Sequence, residues 1–332
     1  MKRLGIILGL IIVLTAAAAL FFVPETWLRL PLPDAPRVRI EISEGSNVSQ
    51  VASLLQDKGL ISSAFKYRIF AHWDELAKKP RAGEYDISVG TSYQQIARIL
   101  ATGPERNEIS ITIIEGWTIY DIQKKLEDLG VDVVPSDFLA ERFADEFDFL
   151  KDLPEGASLE GYLFPDTYRV WKDQLPDGLL RRQLLEFMSK TSGFGQEASK
   201  QGRSLSDVVT LASIIEKEAR HDEDRPIVAG VFMNRLNIGM AMQSDATLNY
   251  VIMSGRDRLT SADLEHDSPY NSYRNKGLPP GPIANPGMAS LEAALNPAKT
   301  DFWYFLTDSS GKTLFAKTLE EHSRNRYKAF GE

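Results

Sequence analysis

From Leu4 to Val23 the chain is apolar on every side, interrupted only by Gly5, Gly9 and Thr15. These 20 residues, at about 1.5 Å of helical rise each, match the roughly 30 Å hydrocarbon core of a bilayer, and the pattern predicts a membrane-spanning helix over 4–23. Lys2 and Arg3 precede the run. The positive-inside rule then keeps residues 1–3 in the cytoplasm and sends everything after Val23 to the periplasmic or outer face. The small residues Ala16 to Ala19 also suit a signal peptidase, while continuation through Leu20-Phe21-Phe22-Val23 favours a retained single-pass anchor. Either way the remainder is exported. Trp27 and Arg29 suit the outer interface, and Pro31, Pro33 and Pro36 make 24–37 a stiff spacer.

Beyond the spacer, three stretches share one pattern: a short alternating strand, a glycine turn, a Ser/Thr and an amphipathic helix. The first runs from Ile40 through Gly45 and Ser46 to Val51, Leu54, Leu55 and Gly59. The second runs from Tyr85 through Gly90 and Thr91 to Ile96, Ile99, Leu100 and Gly103, and the third from Ile111 through Gly116 and Thr118 to Ile122, Leu126, Leu129 and Gly130. The spacing is uneven, which argues for a small α+β domain over 38–132 rather than a solenoid. Val89-Gly90-Thr91-Ser92-Tyr93 followed by Ile96-Ala97 is similar to the LysM module, a binder of N-acetylglucosamine-containing glycans. Strand–turn–helix units with a glycine are also common in unrelated proteins, and the pattern leaves both readings open.

From about residue 133 the texture changes to longer helices and polar loops, predicting a mainly helical domain over 133–332. Val208, Leu211, Ala212, Ile215 and Ala219 recur at helical spacing over Leu205–Glu218, with Ser204 placed as N-cap. A second helix starts at Arg225 and closes near Asn234-Arg235, and a third opens at Gln243-Ser244-Asp245 with Ser244 or Asp245 as its cap. The segments Pro269 to Tyr273 and Gly277 to Gly287 read as a long, stiffened, amide-rich loop. Phe302 to Leu306, Gly311 to Phe315 and a helix from Thr318 read as a β-hairpin plus closing helix. Tyr162, Phe164 and Tyr168 beside Pro165 fit a sugar-stacking wall or plain core.

Composition narrows the chemistry. The net charge is −8, which lacks the basic footprint of a nucleic-acid binder. With no cysteine and four scattered histidines, thiolate chemistry is excluded and a dense histidine metal cluster is not expected. Carboxylates, hydroxyls, amides and lysines remain. Near the end of the 205–218 helix, Glu218 falls on the apolar arc between Leu211 and Ile214, while Glu216 lies roughly 160° away at 100° per residue. A carboxyl wedged among apolar side chains loses hydration of its charged form and can hold a proton near neutrality, as a general acid must. The bland alternative is a solvated pair at a fraying helix end, beside Lys217 or Arg220.

At these residues the chain resembles the endolytic murein transglycosylases of the MltG (YceG-like) family, over nearly its whole length. The most specific pieces are Leu159-Glu160-Gly161-Tyr162-Leu163-Phe164-Pro165-Asp166-Thr167-Tyr168, Ala212-Ser213-Ile214-Ile215-Glu216-Lys217-Glu218, Val231 to Leu236, Tyr270 to Tyr273, and Gly277 to Ile283. The family commonly has proline where this chain has Ala246, a change expected to loosen the helix start without removing a chemical group.

The resemblance implies an α+β chain of membrane anchor, LysM-like region and catalytic domain. It implies cleavage of peptidoglycan strands between MurNAc and GlcNAc without water, leaving 1,6-anhydro-MurNAc ends, and partners among the glycan-polymerising synthases. It places the catalytic carboxyl on Glu218, acting as acid and then base. Glu223, Gln243, Asp245, Tyr270, Asn271 and Tyr273 are the candidates for holding the sugar, each of them equally readable as cap, turn former or core aromatic; Glu160 and Asp166 are weaker ones. No metal or other cofactor is called for. The competing readings are a membrane-anchored peptidoglycan-binding adaptor without catalysis, and an inverting hydrolase with a second carboxylate as base.

Overall fold

The computed structural model describes residues 35–104, 108–252 and 259–331. The predicted anchor at 4–23 lies outside the described residues. Among the described residues no helix is long and apolar enough to cross a membrane.

The chain divides into two compact units between residues 106 and 107. In the first, β1 (Arg37–Ile42) pairs antiparallel with β2 (Gly83–Ser88), Ile40 lying opposite Tyr85. Strand alternation turns Ile40, Ile42, Tyr85 and Ile87 to one face, where α1 (Val48–Asp57) and α3 (Tyr93–Thr102) contribute Val51, Leu55, Ile96 and Leu100 to the core. Both helices start on full capping boxes, Asn47 with Gln50 and Ser92 with Gln95, so neighbouring donors at each end are satisfied. The turns before them need Gly45 and Gly90, whose φ values are +77° and +92°. Between the repeats lies a helix that the periodicity does not single out, α2 (Ala64–Trp73), which buries only Tyr67 and Ala71.

The third repeat has the predicted form, β3 (Glu108–Thr112) and α4 (Ile119–Asp128) around Gly116, but belongs to the second unit. Its strand pairs antiparallel with β4 (Thr167–Trp171), and Ile111, Ile113, Ile122 and Leu126 join that unit's core. The 132/133 boundary expected from local pattern therefore differs from the observed division. Strand pairing over some sixty residues decides the grouping, and similarity of repeats does not.

The rest of the second unit is helical: α5 (Asp177–Lys190), α6 (Phe194–Lys200), α7 (Leu205–Glu218), α8 (Arg225–Asn237), α9 (Asp245–Ile252), α10 (Ser261–Leu264) and α11 (Met288–Leu295). The chain closes with the expected hairpin, β5 (Tyr304–Thr307) on β6 (Thr313–Ala316), and α12 (Leu319–Phe330) capped by Thr318. Helix α7 is central, packed against α6, α8, α9 and α11. Every residue from Val208 to Ile215 is buried, so this helix has no solvent face between its first and last turns. Tyr162, Phe164 and Tyr168 are core, with Tyr162 packed on Phe187 at 5.2 Å between ring centres.

Candidate functional site

Helix α7 opens on Ser204, whose hydroxyl accepts from the Asp207 N–H while the Asp207 carboxylate accepts from the Ser204 N–H. At its other end Glu216 and Glu218 leave in different directions, as their angular separation requires. Glu216 is buried in an ion pair with Arg225, at 2.7 Å from Nη1 to Oε2, and accepts the Gly287 N–H at 3.0 Å. Arg225 also meets Ser290 and Asp222. Nearby Glu115 is pushed up by burial and by the charge of Glu216. A Cβ at position 287 would come within 2.0 Å of the Glu115 carboxylate, so a larger residue there would push that side chain aside. Glu216 is thus consumed in holding α7, α8 and the 285–290 segment together.

Glu218 meets the N-terminal turn of α9. The Ser244 hydroxyl donates to Glu218 Oε1 at 2.5 Å, and the nearby Ala246 N–H also favours the charged form of the carboxyl. The side chain keeps partial solvent access while its carboxyl is enclosed by protein. Burial pushes its pKa up; the Asp245 charge acts in the same direction, and the Ser244 and Ala246 donors and the Arg235 charge oppose it.

The loop that presents Ser244 is braced by hydroxyls. Ser272 Oγ accepts the Ser244 N–H at 3.0 Å and receives the Thr247 hydroxyl at 2.8 Å, and its carbonyl accepts the Gln243 N–H at 3.1 Å. Gln243, with its side chain exposed, has φ +53°, the one non-glycine residue with positive φ among the described residues. Tyr273 donates its hydroxyl to Asp245, and burial with the charges of Asp245 and Glu218 lifts its pKa above the usual tyrosine range. Arg235, buried near Glu218, gives Nε to the Trp303 carbonyl at 2.8 Å and Nη1 to the Met242 carbonyl, and stacks over Tyr304.

The structure therefore gathers Glu218, Asp245 and Tyr273, with Gln243 at the edge. Asn271 is fully buried and spends its amide on the loop, donating to the Leu264 and His266 carbonyls and accepting the Tyr273 N–H. Glu223 is exposed on the turn between α7 and α8, outside the contacts described around Glu218. Tyr270 packs on Tyr250 at 5.3 Å between ring centres, beside Glu160 rather than Glu218. Asp166 accepts the Thr167 N–H at the start of β4. Sequence reasoning missed Arg235, Ser272 and Thr247; a cationic residue in the last turn of a largely apolar helix was the available sign for the first. The hydroxyl pair carries no local pattern.

Glu160 forms a second buried carboxyl centre. It accepts the Ile119 N–H at 3.1 Å, the Asn285 amide at 3.0 Å and the Tyr250 hydroxyl at 3.3 Å, and burial pushes its pKa up to about 8. Asn285, fully buried, also accepts the Gly161 and Leu163 N–H groups at 2.9 and 3.0 Å. This knot ties the Gly277–Gly287 loop to the 160s, at a glycine whose φ is +87° and whose Cβ would strike Pro282 at 2.5 Å. Glu160 holds its proton more tightly folded than unfolded between its ordinary 4.5 and about 8. Its contribution to folding stability therefore falls as pH rises through that window. Glu160→Gln should reduce the slope of the urea midpoint against pH there, and an unchanged slope would contradict this assignment. Among the described residues no group of three His, Asp or Glu is arranged to hold a metal.

The YceG-like family matches the chain over residues 40–328. An endolytic murein transglycosylase of Bacillus subtilis is 35% identical over 306 residues, covering 88% of this chain and 84% of its own length. Its namesake in Streptococcus pneumoniae serotype 2 is 29% identical over 92% of this chain, which spans only 60% of that relative's length. A crystal structure of a YceG-like protein from Listeria monocytogenes has 32% identity and a TM-score of 0.56, over 88% of this chain and 100% of that one. The chain belongs to the YceG-like family.

Proposed function

We propose that this protein is an endolytic murein transglycosylase that cuts peptidoglycan strands at the MurNAc–GlcNAc bond without water. The observation that supports this most is the state of Glu218, a desolvated carboxyl with partial solvent access, its neutral form favoured by burial and by Asp245. The proposed cycle uses that one group twice. Protonated Glu218 gives its proton to the glycosidic oxygen as the C1–O bond breaks and oxocarbenium character develops on MurNAc. The GlcNAc side leaves with a hydroxyl. The MurNAc C6 hydroxyl then attacks C1 and loses its proton to the Glu218 carboxylate, which closes the 1,6-anhydro ring and restores the acid. A second carboxylate is unnecessary because the nucleophile is tethered within the same sugar, with a correspondingly high effective molarity.

Asp245, held by Tyr273, adds negative charge beside the developing cation. The apolar run over 4–23 serves in this reading as a single-pass anchor, with Glu218 on the outer side and nascent strands near the membrane within reach. The LysM-like region supplies further glycan contact.

The test is incubation of the detergent-solubilised full chain with purified sacculi, followed by mass analysis of soluble and muramidase-released fragments. Anhydro-ended fragments that accumulate with enzyme are the expected result. Reducing ends alone would mark a hydrolase, and binding without fragments would mark an adaptor; either outcome ends the proposal.

A further inference from the structure

We propose that the N-terminal turn of α9 is a seat for Glu218, in which the Ser244 hydroxyl reserves Oε1 as an acceptor and the transferable proton is carried on Oε2. The inference rests on the reading of Glu218 as acid and base and assigns distinct duties to its two oxygens. Ser244 acts on substrate only through Glu218 and is a positioning residue.

The geometry carries the argument. A serine hydroxyl has one proton to give, and that of Ser244 is committed to Oε1 at 2.5 Å. Ser244 itself is buried and immobilised from both sides. Its N–H is held by Ser272 Oγ, and its carbonyl faces the hydroxyls of Thr247 at 2.9 Å and Ser272 at 3.3 Å. The residue before it, Gln243, sits in the left-handed backbone region that side chains other than glycine rarely adopt. A strained residue, a hydroxyl brace and a helix start all serve to aim one O–H at one carboxyl oxygen. An oxygen already receiving a donor is a poor place for a second proton, so the acidic proton belongs on the other. After transfer the same donor stabilises the carboxylate and moderates its basicity, which allows it to reload from the C6 hydroxyl. The other charged or titratable groups facing Glu218 are Asp245, Tyr273 and Arg235.

Ser244→Ala, which removes the hydroxyl donor, tests the seat in the full-length protein in detergent. It is read by carbon-13 titration of the Glu218 carboxyl, with the signal assigned by its absence in Glu218→Gln, and by the pH profile of anhydro-end release. Losing a donor to the charged form raises the pKa, so the carboxyl midpoint and the basic limb of activity should both move to higher pH. For Ser244→Ala, turnover at the optimum should also fall about tenfold, because orientation is lost. A carboxyl midpoint that stays at the wild-type value in folded Ser244→Ala overturns the seat. Absence of anhydro ends from the wild-type protein would instead count against the proposed function, since the carboxyl titration is read independently of turnover.

Discussion

Glu218→Gln is expected to abolish release of anhydro-ended fragments, lowering turnover by about a thousandfold or more while leaving the fold intact. The magnitude follows from losing one group in two steps, since a positioned acid or base contributes roughly 10²–10⁴ in rate. The fold should survive because glutamine is nearly isosteric and its amide oxygen can still accept from Ser244. It also replaces a carboxyl whose burial disfavours charge with a group that is neutral at every pH. The thermal midpoint should therefore stay within a few degrees of the parent. Glu216→Gln should behave in the opposite way, weakening stability more than chemistry, because Glu216 is spent on Arg225. Retention of more than a tenth of wild-type turnover by Glu218→Gln would remove that residue from the mechanism.

Arg225→Ala should produce the largest loss of stability. Side-chain exposure is 7% for Arg225 and 6% for Glu216, so the pair is sealed from solvent. Removing the guanidinium strands the Glu216 carboxylate with the Gly287 N–H as its remaining donor and with Glu115 as a like-charged neighbour. Breaking such a pair from one side costs about 3–5 kcal/mol. Urea unfolding followed by tryptophan fluorescence should show it, and a loss below about 1 kcal/mol would mean that the pair is dispensable. Replacing both partners with apolar residues, as in Arg225→Met with Glu216→Leu, should recover much of the loss, because no buried charge is then left alone.

Local chemistry made a good part of the second unit readable in advance. The bounds of α7, its Ser204 cap and the closing hairpin follow from apolar spacing, one capping residue and a glycine-containing turn. The separation of Glu216 from Glu218 follows from 3.6 residues per turn alone. Each of these depends on neighbours within a few positions. The third repeat shows where that reasoning fails: its strand looks like the first two, yet pairs with Thr167–Trp171. The aromatic 160s and Asn271 show the same limit at the site. Residue types suited to stacking on or hydrogen-bonding a sugar turned out to build the core and brace a loop.

The order of elements, the caps and the angular position of a carboxyl on the apolar side of α7 were determined by the chain itself, because each is set by backbone geometry over one or two turns. Only the tertiary structure decided that Ser244 would meet Glu218, and that Arg225 would claim Glu216. Those contacts join groups 26 and 9 positions apart, and their strength comes from the exclusion of water that packing alone provides.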